Sequence, residues 1–185
     1  MPTAALRLPP LPGDEWDERE RAALAVLLPA RRRDPEGAGN ALATLVRHPD
    51  LAEAFLTFSA HLLVRSTLPP RLRELAILRV ARRRECEYEW SHHVMMAAKA
   101  GLTEAEIEAA GRGEAAGGLD AAVLRAVDEL DEASTVSDAT WAELGAHLDD
   151  RQRMDLVFTV GGYTLMAMAF NTFGVQPEHG AAPGN

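Results

Sequence analysis

The stretch LPPRLRELAILRVARRRECEYEWSHHVMMAAKAGLTEAEIEA, residues 68–109, decides the fold class. It opens on Pro69-Pro70, a favoured helix start because the N–H that proline lacks is one a helix leaves unpaired there anyway. Leu72, Leu75, Ala76 and Leu78 (or Arg79) then recur on one helical face. After Gly101-Leu102, Thr103 and Glu106 stand at the spacing of a capping box, which marks another helix start. Nothing in the stretch alternates with the period of two that a half-buried strand requires.

The same reading extends outward. Proline and glycine punctuate the joints, in RLPPLPGD, RRRDPEGAGN, RHPD, STLPP, KAGLT, GRGEAAGGLD and GVQPEHGAAPGN, and the segments between them read as helix. One helix is expected over Asp14–Leu28, and another capped by Asp50 with Leu51, Phe55, Phe58 and Leu62 along it. The expectation is an all-α chain of about eight or nine helices. Residues 1–13 read as an N-terminal arm, 14–176 as a single all-helical domain and 177–185 as a flexible C-terminal tail.

Composition bounds the function. With 185 residues and 47% apolar content the chain can bury a real core. Nineteen basic against 28 acidic residues give a formal charge of −9, which leaves no basic excess to neutralise phosphates, so no nucleic-acid partner is expected. No segment reads as an uninterrupted apolar span of ~20 residues, so no membrane partner is expected, and the location is expected to be cytoplasmic. A single cysteine cannot close an internal disulfide, so Cys86 is either a buried thiol or a reactive one.

Chemistry concentrates between residues 84 and 93. On a helix, Cys86, Glu89, Trp90 and His93 stand at i, i+3, i+4 and i+7 and share one face. Glu89 and His93 are then placed to meet as an acid–base pair, the carboxylate orienting the imidazole and raising its basicity. The alternative is a polar patch on an exposed helix, or a core histidine with its carboxylate partner. EWSH has the Glu-x-x-His spacing of di-iron ligands, but no second copy accompanies it, and EWSHH is not the His-Glu-x-x-His zinc motif, so no metal is expected. An internal echo, at an offset of about 80 residues, aligns LPPRLRELAILRV from Leu68 with LDDRQRMDLVFTV from Leu148, as a duplicated helical hairpin would. The second copy runs on into apolar sequence, so the polar site is expected from the first half and apolar packing from the second.

Residues 68–109 resemble the signature region of the carboxymuconolactone decarboxylase family, which includes alkylhydroperoxidase-like proteins. The ending NTFGVQPE resembles that of a decarboxylase-like subgroup. The resemblance implies an alkylhydroperoxidase-like helical fold assembled as trimers or hexamers, and a small-molecule substrate. Its peroxidase branch carries a glutamate in one helix, Cys-x-x-Cys at the start of the next, and a histidine four residues after the second cysteine. Carried over, Glu74 matches the glutamate, Cys86 the first cysteine and His93 the histidine, while Glu89 takes the place of the second cysteine.

That replacement bears on mechanism. A dithiol peroxidase needs a second thiol to resolve the sulfenic acid, and a carboxylate cannot supply it. The resemblance therefore implies a decarboxylase-like carbon–carbon lyase without a cofactor. Glu74, Glu89 and His93 would move protons on a small carboxylated lactone or related acid, and the same groups would suit an isomerase or lactone hydrolase. Arg71 is the expected anchor for a substrate carboxylate, with Arg73 and Arg79 as further candidates; Tyr88 and His92 are candidate substrate contacts. The alternatives are a single-cysteine alkylhydroperoxidase, or peroxiredoxin-like enzyme, acting through Cys86, and a non-catalytic helical oligomer. One condition is geometric: on a single straight helix Glu74 and Cys86 would stand ~18 Å apart, so a break near ARRREC is required.

Overall fold

The computed structural model describes residues 5–178. All regular structure among them is helical: α1 (Glu18–Ala23), α2 (Pro35–Leu45), α3 (Pro49–Ala60), α4 (Pro70–Arg83), α5 (Glu87–Lys99), α6 (Glu104–Arg112), α7 (Gly118–Ala133), α8 (Asp138–Gly145) and α9 (Asp150–Phe173). A π-helical stretch, His61–Arg65, follows α3 directly. The expected arm at 1–13 and tail at 177–185 lie partly outside the described residues.

Two compact units divide the span that reads as one domain. Among the described residues, one comprises everything up to Arg65 together with the chain from Ala169 onward, and the other comprises Ser66–Met168. The first unit has its own core, with Trp16, Leu24, Val46 and Leu56 at its centre. The first helix is shorter than its periodicity suggests, because Asp17 and Glu20 close a capping box that starts α1 at Glu18, four residues later, and the helix stops at Ala23. In α3 the cap is His48 rather than Asp50: its ring accepts from the Leu51 N–H, and Pro49 takes the first helical position. Asp50 instead pairs with Arg19 on the surface.

The second unit is built around α4. Its inward face, Leu72, Leu75, Ala76, Ile77, Leu78, Val80 and Ala81, packs in one cluster with α5, α6, α7 and the middle of α9. Its outer face is held to α7 by arginines: Arg71 on Asp120, Arg79 on Asp128 and Arg83 on Asp131. The near-constant separation of these partners along the chain means that α4 and α7 run parallel. The pairs are partly buried, and their regular spacing fixes the register of the two helices. At the start of α4 the Asp155 carboxylate of α9 accepts from both the N–H and the hydroxyl of Thr67.

The required break is present at residues 84–86. The Cys86 N–H donates back to the Ala81 carbonyl and the Glu85 N–H to that of Arg82, with Glu85 in the left-handed region at φ 51°. This is the paired hydrogen-bond closure that commonly ends helices, built here on glutamate instead of glycine. The chain reverses and α5 packs back along α4.

Both segments of the internal echo begin helices. In the first the helix ends and the chain turns back, whereas α9 passes the equivalent point, near Leu165, without interruption. At 24 residues α9 is also long and apolar enough, by composition, to cross a membrane, which the sequence expectation overlooked. Its buried side carries Leu156, Val160 and Tyr163 of the core, the pattern of a central core helix.

Candidate functional site

Glu74 sits in the first half of α4 and is fully buried, and both oxygens of its carboxylate are occupied. Oε1 accepts from Arg73 Nε at 3.1 Å and Nη2 at 3.0 Å. Oε2 meets His93 Nδ1 at 2.7 Å. A buried carboxylate costs several kcal/mol unless paired, and a guanidinium on one edge with an imidazole on the other meets that requirement. The contact also sets the tautomer: a neutral His93 carries its proton on Nδ1, toward Glu74, leaving Nε2 as the basic nitrogen.

This arrangement corrects the expected pairing. His93 takes its carboxylate partner from α4, across the helical hairpin, and not from Glu89 one turn earlier on its own helix. The break at Glu85 makes this possible, because it returns α5 alongside α4 and brings position 93 level with position 74.

Glu89 is the anomalous residue. Its side chain is 2% exposed, and neither carboxylate oxygen has a hydrogen-bond partner. Burial alone pushes its carboxyl up from the ordinary 4.5 to about 8. At neutral pH it is therefore a neutral acid holding a proton, one turn from His93 on the same inward stripe. Cys86 caps α5 and is 1% exposed. Burial, followed by the charge of Glu89, pushes its thiol up to about 12, against a smaller opposing effect of the backbone N–H groups of Tyr88 and Glu89. The helix N-terminus does not activate it, since desolvation outweighs the dipole.

Tyr163 closes the site from α9. Its ring meets that of His93 edge-on, with centroids 5.0 Å apart and planes at 86°. Burial, then the charges of Glu74 and Glu89, raise its hydroxyl pKa further above the usual phenol range, so it stays protonated. The expectation that the second half supplies only apolar packing is therefore corrected. YTLMAMAF reads as filler because Tyr163 is a lone polar tip in an apolar run, and nothing in its spacing links it to His93.

The structure thus brings together Glu74, Cys86, Glu89 and His93. It sets the other three candidates apart. Tyr88 and His92 stack on one another on the neighbouring stripe of α5, with ring centroids 4.3 Å apart, and His92 Nδ1 lies 2.9 Å from the Tyr88 carbonyl oxygen. Arg71 is committed through Nη2 to Glu106 at 2.8 Å and Asp120 at 2.6 Å. Arg79 is held by Asp128 and the Gly111 carbonyl. Arg73 is the arginine beside the acid–base groups, and adjacency to Glu74 in sequence was the only signal for it. Among the described residues no group of three or more His, Cys, Asp or Glu side chains is placed to hold a metal ion.

Residues 49–132 match the carboxymuconolactone decarboxylase family. No curated protein matches the chain. Among solved structures the chain is similar to an uncharacterised peroxidase-related protein from Ralstonia eutropha JMP134, described as an alkylhydroperoxidase AhpD core, at 19% identity and a TM-score of 0.73 over 94% of each chain. A peroxidase-related protein from Silicibacter sp. TM1040 is similar at 18% identity and TM-score 0.69, over 96% of this chain and 93% of the other. An Agrobacterium tumefaciens protein of unknown function, described as an antioxidant-defence AhpD candidate, follows at 20% identity and TM-score 0.65, over 72% of this chain and 94% of its own. At these identities the likeness speaks to the fold. The matched region, with Glu74, Glu89 and His93 inside it, is similar to the carboxymuconolactone decarboxylase family and is carried on an AhpD-like helical fold.

Proposed function

We propose that the chain is a carbon–carbon lyase of the decarboxylase type, working without a cofactor by proton transfer on a small carboxylated lactone or related unsaturated acid. The observation that carries this reading is Glu89: a carboxyl that is buried, without a partner, and held protonated at neutral pH. Such a group has a proton to deliver and no internal acceptor for it. In a decarboxylation the carbon–carbon bond to the departing carboxylate breaks, carbon dioxide leaves, and the electron pair remains as an extended enolate. Glu89 protonates that carbanionic carbon and is reprotonated from solvent afterwards. The Arg73–Glu74–His93 chain supports the reaction: Glu74 fixes the ring, so that His93 Nε2 accepts or returns a proton on the substrate oxygen. Arg73 spends Nε and Nη2 on Glu74, leaving Nη1 to engage a substrate carboxylate.

The peroxidase reading is second. The descriptions of the structural relatives support it, while Cys86 does not: a thiol pushed up to about 12 carries almost no thiolate at neutral pH and is a poor peroxide nucleophile. A panel of carboxylated lactones and organic hydroperoxides, the latter with added thiol, separates the two. Turnover of a lactone acid by wild type and by Cys86→Ser, lost in Glu89→Gln, is expected. Hydroperoxide consumption that depends on Cys86, with no lactone turnover, would overturn the assignment in favour of the peroxidase.

A further inference from the structure

Two polar atoms at the centre of the site are left without partners. His93 Nδ1 is taken by Glu74, and among the described residues neither its Nε2 nor the Tyr163 hydroxyl forms a hydrogen bond. Both residues are more than nine-tenths buried, at 7% and 4% exposure, and their rings meet edge-on. One atom is an acceptor and the other a donor, yet they do not pair with each other. A buried phenol ordinarily finds a partner, and leaving its oxygen unpaired costs stability. The oxygen therefore does nothing for the fold, since phenylalanine would fill the same space at less cost.

We infer that the Tyr163 hydroxyl is the oxyanion donor of the site, holding the substrate oxygen on which negative charge collects as carbon dioxide departs. The inference rests on the lyase reading above and adds a residue to it. When the carbon–carbon bond breaks, its electron pair moves through the unsaturated system onto the lactone carbonyl oxygen. When Glu89 delivers its proton to carbon, the pair forms the new carbon–hydrogen bond and the carbonyl is restored. Between those two events the oxygen needs a donor already in place, and such preorganised donors supply much of the stabilisation in acyl and enolate chemistry. The other groups are committed. A neutral His93, its proton on Nδ1, presents a bare Nε2 that accepts and does not donate. The Glu89 proton goes to carbon, Arg73 Nη1 engages a substrate carboxylate, and the Cys86 thiol is a weak donor. Tyr163 remains. Burial, then the charges of Glu74 and Glu89, keep it protonated, so it donates a hydrogen bond without surrendering its proton.

Tyr163→Phe keeps the ring against His93 and removes the oxygen alone. On a lactone acid that wild type turns over, kcat is expected to fall ~10²–10³-fold, the usual effect of deleting one such donor, with KM changed less than about threefold. Its urea midpoint is expected to equal or exceed that of wild type, because the lost hydroxyl held no bond. Thr159→Val is the control. Thr159 Oγ1 lies one turn earlier on α9, fully buried and equally without a partner, and its removal is expected to leave kcat within about threefold. Tetronate, a lactone that is a stable enolate at neutral pH, tests the donor without turnover: its calorimetric affinity for wild type is expected to drop ~10-fold or more in Tyr163→Phe. If wild type turns over no lactone acid, the lyase reading fails by itself, and the tetronate comparison decides whether Tyr163 is a donor to oxyanions at all. Unchanged kcat in Tyr163→Phe, an equal loss in Thr159→Val, a lowered urea midpoint, or tetronate that binds both proteins equally or neither would each overturn the proposal.

Discussion

At the scale of single residues, Glu89 decides more than any other side chain, and its chemistry has a definite sign in pH. Its carboxyl stands at about 8 in the folded chain against an ordinary 4.5. Below the ordinary value both folded and unfolded states hold the proton and burial carries no charge penalty. As pH rises from there toward about 8, the unfolded chain releases its proton and the folded chain does not, so stability is lost across that window, by about 1.4 kcal/mol for each unit of the shift. Glu89→Gln is expected to flatten this loss and to unfold at higher urea than wild type above pH 8, even as its turnover is expected to be lost. A wild-type urea midpoint that does not fall between about pH 5 and pH 8.5 would show that Glu89 is solvated or partnered. Cys86 gives the complementary result. In the native protein it is expected to react with an aromatic disulfide reagent only as fast as the chain opens, and Cys86→Ser is expected to keep most lactone-acid turnover, while His93→Ala loses ~10²-fold or more. The sequence displayed Glu89, Cys86 and His93 as one helical stripe, and the structure keeps that stripe. It could not display Glu74 as the partner of His93, because that contact depends on where α5 returns beside α4, and Tyr163 enters only once that geometry exists.

Among elements, the reversal between α4 and α5 is what builds the site, and it was the least legible feature of the chain. Helix ends are ordinarily announced by glycine, and the same closing hydrogen bonds end α5 at Gly101 and α6 at Gly113. At the first break the left-handed position is held by Glu85, in a run of charged residues that reads as continuous helix. A side chain there costs roughly 1 kcal/mol that glycine does not. Glu85→Gly is therefore expected to stabilise the protein by up to about 1 kcal/mol without moving the site, and a thermal unfolding midpoint raised by a few degrees, with unchanged turnover, is the outcome that agrees. A destabilised variant would mean that Glu85 makes a contact worth more than its backbone strain. The capping box at Thr103 and Glu106 was by contrast fully legible and is present as expected, since both of its members lie within one turn of each other. The first helix was misjudged for the same reason of locality: its apolar spacing extends well past Ala23, but the capping box at Asp17 and the turns after Ala23 set its real limits.

At the level of the whole molecule, helical class was readable because proline and glycine punctuation and period-3.6 patterning agree along the entire chain, whereas the division into two units was not, since α9 runs through both without a change in composition. Each unit carries its own core, and the groups that meet around His93 all belong to residues 66–168. Leu78 lies fully buried one turn beyond Glu74 on α4, and Leu24 lies fully buried in the other core. Truncation of either leucine to alanine removes a comparable apolar volume, and each is expected to cost ~2–5 kcal/mol of stability. Their effects on the site should differ. Leu78→Ala leaves a cavity against the helix that positions Glu74, so the imidazole resonances of His93 are expected to shift and broaden, with lower turnover at saturating substrate. Leu24→Ala is expected to leave the His93 resonances where they are while lowering the unfolding midpoint by a similar amount. If Leu24→Ala displaced the His93 signals as far as Leu78→Ala does, the integrity of the site would rest on packing outside residues 66–168, and the assignment of the acid–base groups to one self-sufficient core would have to be given up.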